Sequence, residues 1–156
     1  MTPSTIRKLV RADVSAVIAL VLLNWPNDER IARSLPMELA DMFSNATYRP
    51  TFFVAEDDGK IVGFGGWNWA WHNYDIYELF WGNVAFGYQG RGIGRQLVEA
   101  RLDDILEVTA AELQAKQSYV TVSTHHREMY ERYGFAVIAT MDLWQDPKTH
   151  LMMKSL

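Results

Sequence analysis

No cysteine occurs in the 156-residue chain. Its absence excludes disulfide scaffolds, cysteine nucleophiles, thiolate-bound zinc and iron–sulfur clusters. Proline is scarce, at five residues, and no Pro/Ser-rich linker, internal repeat or low-complexity tract divides the sequence. Residues 1–156 are therefore expected to form a single domain. A basic excess is missing as well. The formal charge is −4, whereas proteins that track a phosphate backbone cluster Lys and Arg. Nucleic acid is not an expected partner, while the acidic balance suits cationic small molecules or Lys-bearing substrates as well as plain solubility. The apolar run Val14 to Leu23 covers ten residues, and a bilayer span needs about 20. Arg7, Lys8 and Arg11 before it imitate a secretory leader. Against that, Asp13 separates the charges from the run, and Asn24-Trp25-Pro26 offers no small-residue cleavage site. The run is expected to be a buried first helix capped by Asp13, in a cytoplasmic protein that no membrane holds. The sequon Asn45-Ala46-Thr47 then has no consequence.

Thr5 to Val10 has the pattern of a strand, and the following helix places Val14, Val17, Ile18, Val21 and Leu22 on one face. After a polar break at Pro26 to Arg30, a second helical stretch is expected around Pro36 to Ser44. Thr51 to Glu56 and Lys60 to Trp69 flank Asp57-Asp58-Gly59, whose Asp-Gly step signals a hairpin. A strand at Tyr77 to Phe86 leads into a glycine cluster. An amphipathic helix follows, carrying Ile93, Leu97, Val98, Leu102, Ile105 and Leu106. Strands at Ser118 to Ser123, Phe135 to Trp144 and His150 to Lys154 surround a short helix, Arg127 to Tyr133, stopped by Gly134. The order β-α-α-β-β-β-α-β-α-β-β predicts an α/β (α+β) domain, with a mixed, mostly antiparallel sheet and helices on both faces.

The chemistry is concentrated in Gln89-Gly90-Arg91-Gly92-Ile93-Gly94-Arg95, between a strand and a helix. Backbone N–H groups and the helix dipole converge on an anion at such a turn. A Walker A loop would end in Gly-Lys-Ser/Thr, and none is present. The dinucleotide fingerprint fails too, because its third glycine would fall at Arg95 or Leu97. The pattern that fits, Q/R-x-x-G-x-G/A, resembles the coenzyme A pyrophosphate loop of the GNAT superfamily of acetyl-CoA-dependent N-acetyltransferases. Three further segments match that family in order. Ile6 to Asp13 resembles its opening strand and helix cap, Met129-Tyr130-Glu131-Arg132-Tyr133-Gly134-Phe135 its late aromatic motif, and His150 to Leu156 its last strand.

The resemblance implies site residues. Counted back from Gln89, Glu78 falls where the histone-acetylating branch of the superfamily carries its general-base glutamate; its other reading is a polar residue on a strand's solvent face. Tyr130 aligns with the tyrosine that points toward the coenzyme sulfur and would act as acid, or it is a packed helix aromatic. The oxyanion donor would be a main-chain N–H near Val84, where the family's strand splays to admit the pantetheine arm. Ala85 and Phe86 would line that arm, although the family often has Pro where Phe86 stands. Ser123 replaces a frequent Asn, and its shorter side chain weakens that contact. Gln89, Gly90, Arg91, Gly92, Ile93, Gly94 and Arg95 would bind the coenzyme phosphates. The adjacent His125 and His126 lack a third ligand, so they are expected to be turn and cap residues in a site without metal. Trp67, Trp69 and Trp71 alternate onto one sheet face. His72, in the loop that follows, is a candidate to bind the acceptor, and for Trp71 beside it core packing and an aromatic wall around an amine both stand.

These readings converge on acetyl transfer from acetyl-CoA to a primary amine, on a small molecule or a peptide, by direct attack in a ternary complex. The alternative is a non-catalytic coenzyme A sensor or interaction module, which would keep the loop without a working base. An exposed edge strand near the C-terminus offers a way for two chains to pair as a homodimer.

Overall fold

The computed structural model describes residues 4–112, 117–143 and 148–156. Eleven elements follow the expected order: β1 (Thr5–Lys8), α1 (Val14–Asn24), α2 (Glu29–Asp41), β2 (Thr51–Asp57), β3 (Lys60–Ala70), β4 (Asn73–Val84), α3 (Ile93–Glu112), β5 (Tyr119–Thr124), α4 (Arg127–Glu131), β6 (Ala136–Met141) and β7 (Thr149–Ser155). The strands form one sheet in the order β1-β2-β3-β4-β5-β7-β6. Every pairing is antiparallel except β4 with β5. Strand alternation divides the core. Phe52, Val54 and Phe64 meet α1 and α2 on one face, while Phe53, Leu79 and Val122 meet α3 and α4 on the other. Helices therefore cover both faces, as the sequence pattern predicts.

Local expectations are corrected in four places. Helix α2 begins at Glu29 rather than Pro36, because the Asp28 carboxylate accepts the N–H groups of Arg30 and Ile31 at 3.0 and 3.2 Å and caps the first turn. Pro36 lies inside α2, where it costs one intrahelical hydrogen bond. The segment expected as a loop before Tyr77 is strand, since β4 starts at Asn73 and only Trp71-His72 turns the chain. Its far end at Val84 leaves Ala85 and Phe86 outside the strand. Strand β6 is shorter than expected, ending at Met141, and Trp144 lies outside the described residues.

Asp13 does not cap α1 with its side chain. Its carboxylate turns back to Arg7 at 2.7 and 2.9 Å and to the Val10 N–H at 2.9 Å. The Arg7 guanidinium, which also binds Glu56, holds the Asp13 carboxyl below the usual carboxylate range. A lowered folded-state value stabilises the protein above the unfolded value of about 3.9, and the contribution is lost as pH falls through the folded value. Asp13→Asn is therefore expected to lower stability at neutral pH by on the order of 1 kcal/mol, discounted because Arg7 is one-third exposed. Urea unfolding of both proteins from neutral pH to about pH 3 checks this. The gap should close as the solution is acidified, and a constant gap would refute the ion-pair account.

Candidate active site

Parallel pairing of β4 with β5 runs only from Ile76–Tyr119 to Leu79–Val122. Beyond that point β4 continues to Val84 and β5 to Thr124 without pairing to each other. The wedge between them opens a cleft of ≈ 1130 Å³, floored by Leu79 and Val122 and reaching the glycine loop, α4 and the α1–α2 turn. A bulge in β4 marks its apex. Phe64 and Gly66 of β3 pair with Asn83 and Phe80 of β4, so one residue on β3 is opposed by two, Trp81 and Gly82. Trp81 has φ of 55°, a left-handed conformation costing about 1–2 kcal/mol for a side-chain-bearing residue. Its indole N–H is held by the Glu38 carboxylate of α2. Asn83 Oδ1 accepts from Asn24 Nδ2 and Trp25 Nε1, both at 3.1 Å, which ties the α1–α2 turn to the cleft mouth.

At the other end, Gly90 and Gly92 have φ of 76° and 83°. A Cβ at Gly90 would meet nothing within 4 Å, so the loop leaves open space in front of the α3 N-terminus. Arg95 stands at the cleft lip, with Arg127 and Arg132 nearby. An open cradle of backbone, a helix N-terminus and several guanidinium groups suits a pyrophosphate.

The structure brings most, not all, of the sequence-derived candidates to this cleft. Val84, Phe86, Gln89, Gly90, Gly92, Ile93, Gly94, Arg95, Ser123 and Tyr130 line it. Phe86 is 90% exposed, while Ile93 buries its side chain against Gly63. Arg91 folds back instead, donating to the Gly87 carbonyl at 2.9 Å with its guanidinium 4.7 Å above the Tyr88 ring. Ala85 is tied by its N–H to the Val62 carbonyl at 2.9 Å and does not line the cleft. Trp71 and His72 sit at the tip of the β3–β4 hairpin, away from the cleft. Trp71 is 83% exposed, with its ring edge-on to Tyr48 at 5.3 Å. Only Trp67 and Trp69 pack against the α3 side. His126 is the N-cap residue of α4, and the His125 ring rests on the Lys148 carbonyl.

Tyr130 is 4% exposed, edge-on to Phe135, and its hydroxyl makes no hydrogen bond among the described residues. It lies 4.0 Å from the position that a Cβ on Gly82 would take, at the apex. Tyr133 is differently placed. Its O–H donates to Glu99 at 2.7 Å, and burial together with that carboxylate pushes its phenol up to about 12. Tyr133 does not line the cleft, where the phenols are Tyr130 at the apex and Tyr88 in the glycine loop. Glu78 pairs with Asn68 and Thr121 in the sheet. Strand alternation directs it to the α1–α2 face, opposite Tyr77 and Leu79, three residues before Trp81, or about 10 Å along the strand. Its charge, after burial, helps to raise the phenol of Tyr48. Glu78 therefore does not line the cleft: it sits within the paired stretch of β4 and β5, on the face of the sheet opposite Tyr130.

Arg101 is a buried cleft residue that sequence reasoning missed. It stands four residues after Leu97 and three after Val98, on the apolar stripe of α3, and a charge in that register was the available signal. The Asn83 clamp had no comparable signal, since its partners lie more than fifty residues away. Among the described residues, no three His, Asp or Glu side chains are grouped to hold a metal ion, and no helix is long and apolar enough to cross a membrane.

A family model for the acetyltransferase (GNAT) domain matches residues 49–137. No curated protein sequence matches the chain. Among solved structures, an aminoglycoside 6'-N-acetyltransferase complexed with coenzyme A is similar, with a TM-score of 0.72 at 18% identity over 97% of this chain and 96% of that one. The ribosomal-protein-alanine N-acetyltransferase from Brucella melitensis gives 0.73 at 19% identity over 97% and 99%. An acetyltransferase of the GNAT family from Staphylococcus aureus Mu50 gives 0.68 at 18% over 98% and 99%. The matched region holds the wedge, the glycine loop and α4, more than half of the chain, and the protein accordingly belongs to the GNAT acetyltransferases, which use acetyl-CoA as donor.

Proposed function

We propose that the protein acetylates a primary amine by direct attack in a ternary complex, with Glu78 as base and Tyr130 as acid. The observation that carries this reading is the wedge, which sets a phenol with no hydrogen-bond partner among the described residues at the end of a cleft that starts in an anion cradle. Acetyl-CoA supplies the acetyl group and a thiolate leaving group. Gly90, Gly92 and Gly94 admit its phosphates to the backbone, Arg95 adds charge, and Val84 and Ser123 flank the arm. Glu78 takes the proton from the incoming ammonium, directly or through water, because a Lys-like amine with a pKa of about 10.4 is charged at neutral pH. A main-chain N–H near Val84 receives the charge that develops on the acetyl oxygen, and Tyr130 returns a proton to sulfur. The solved relatives named for aminoglycoside and for ribosomal-protein alanine support an amine acceptor, small or peptidic, without choosing between them.

The test begins with thermal unfolding in the presence of acetyl-CoA, with ATP and NAD as controls. Ligand at about 100 times its dissociation constant adds about 2.7 kcal/mol, and only acetyl-CoA should raise Tm. Thiol release across an amine panel then identifies responsive acceptors, with no protein thiol to add background. Glu78→Gln is expected to lower kcat/KM by about 10²–10⁴ and to abolish its acid limb. Unchanged turnover from about pH 6 to about pH 9 would remove Glu78 as base. A Tm shift with no turnover on any amine would point to a coenzyme A sensor instead.

A further inference from the structure

Arg101 is buried to 1% exposure in the middle of α3. Its Nε donates to the Leu97 carbonyl at 2.9 Å, and its Nη1 donates to the carbonyls of Gly66 and Phe80 at 3.3 and 3.2 Å. The Phe80 carbonyl is open to it because β4 has just parted from β5. The socket is close-fitting at Gly65, where a Cβ would stand 3.1 Å from the guanidinium carbon and the guanidinium would have to give by a few tenths of an ångström. No carboxylate pairs with Arg101 among the described residues. The buried acid one turn further along α3, Asp104, is taken by Lys8 Nζ at 2.7 Å and Trp67 Nε1 at 2.9 Å. Nη2 is the remaining donor group. It makes no hydrogen bond to the described residues, and it lies 4.0 Å from the Cβ position of Gly82, the same distance as the Tyr130 hydroxyl. A guanidinium and a phenol thus face one spot at the apex of the wedge.

A guanidinium held out of water with carbonyls but no counter-ion is costly, and a Leu or Met of similar reach would fill the socket without that cost. The charge has a use where negative charge appears in the cleft. We propose that Arg101 is a catalytic residue that receives the thiolate of coenzyme A as it leaves. The proposal rests on the reading of Tyr130 as the group facing the sulfur. In the step it serves, the amine lone pair forms the N–C bond to the acetyl carbon. The C–S bond breaks with its electron pair on sulfur, and the second proton from nitrogen goes to water, since Glu78 already holds the first. The sulfur remains an anion beside Nη2 until Tyr130 or water protonates it. Bound coenzyme A therefore ionises at a lower pH than a free thiol, whose pKa is about 8.5.

Calorimetric titration of the protein with coenzyme A and with desulfo-coenzyme A, from about pH 6 to about pH 9.5, tests this. Other titrating or charged groups face the same space: Tyr130, Glu128 and Arg127 on α4, Arg132 just after it, His125 and His126 before it, Arg95 on α3, and Tyr88 in the glycine loop. Both ligands meet all of them, so the affinity ratio isolates the sulfur. For wild type the ratio in favour of coenzyme A should rise at least tenfold as pH increases toward the free thiol pKa. In Arg101→Met the rise should fall below twofold while desulfo-coenzyme A binds as before, and Arg101→Lys should restore most of it. A flat ratio in wild type overturns the proposal without reference to any variant, as does a full rise in Arg101→Met. If neither ligand binds wild type, the donor-site reading fails and takes this proposal with it, an outcome distinct from a flat ratio.

Discussion

Gly92→Trp is expected to weaken coenzyme A binding by more than about 100-fold while leaving the fold intact. Two effects act together. Gly92 has φ of 83°, where a side-chain-bearing residue costs about 1–2 kcal/mol, so the loop backbone is pushed away from its present path. The indole would also occupy the space in front of α3 that the phosphates need. Loss of two charge-assisted hydrogen bonds at about 1.5–3 kcal/mol each gives 3 kcal/mol or more, and 1.4 kcal/mol is tenfold. The turn lies at the surface, with Gly87 and Gly90 beside it exposed, so core packing should survive. Calorimetry with acetyl-CoA, alongside urea unfolding of the apo-protein, separates the two properties. Affinity within threefold of wild type would show that the phosphates bind elsewhere, and Arg95 and Gly94 would lose their assigned roles with it.

The parts of this molecule legible in its sequence are those written in local periodicity. The apolar spacing of Leu97, Val98, Leu102 and Ile105 specifies α3, and the Asp57-Asp58-Gly59 step specifies the β2–β3 turn, because each is decided by residues within a few positions. The glycine loop was legible for the same reason. Pro36 misled because proline favours a first turn, yet the Asp28 cap eight residues earlier had already started α2. Asp13 misled because its preferred partner, Arg7, lies outside the helix it precedes and offers a charged bond in place of a helical N–H. The wedge could be expected from the family resemblance but not from spacing. It depends on where parallel pairing stops, which is set jointly by the Trp81 bulge, the Glu38 contact and the packing of α3 on Gly63 and Gly65.

Those interior glycines also determine what the site can tolerate. Gly63 admits Ile93 and Leu97 to within about a methyl's width of the sheet, and Gly65 admits the Arg101 guanidinium. Both lie on the α3 side of β3, so the helix that begins at the phosphate cradle is seated close enough for its middle to reach the wedge. Cradle and guanidinium are therefore coupled through one rigid helix, and loss of packing under α3 should disturb both. A strand reading that treats Gly as a weak spot misses this, because here its lack of a side chain is what lets another element approach.

The largest stability effect is expected on the opposite face. Phe52 is fully buried, stacked on Phe64 at 5.1 Å and edge-on to Phe80 at 5.8 Å. Phe52→Ala should cost about 3–5 kcal/mol, the usual range for emptying a packed aromatic site, and should lower Tm by roughly 6–20 °C for a domain of this size. The site also offers a specific partner. A Cβ on Gly66 would stand 2.5 Å from Phe52 Cδ1 and 3.0 Å from Phe80 Cε2, so Gly66→Ala alone must displace a ring and should cost about 1–3 kcal/mol. In the Phe52→Ala background that methyl enters the vacated space, and the second substitution should be close to neutral or favourable. A coupling energy of at least about 1 kcal/mol in the double-mutant cycle is therefore expected, measured by urea unfolding of the four proteins. Additive losses would mean that the sheet shifts at Gly66 rather than the ring. Such a shift would also move the Gly66 carbonyl that holds Arg101, so the additive outcome predicts a parallel loss of coenzyme A affinity in Gly66→Ala, and the coupled outcome predicts none.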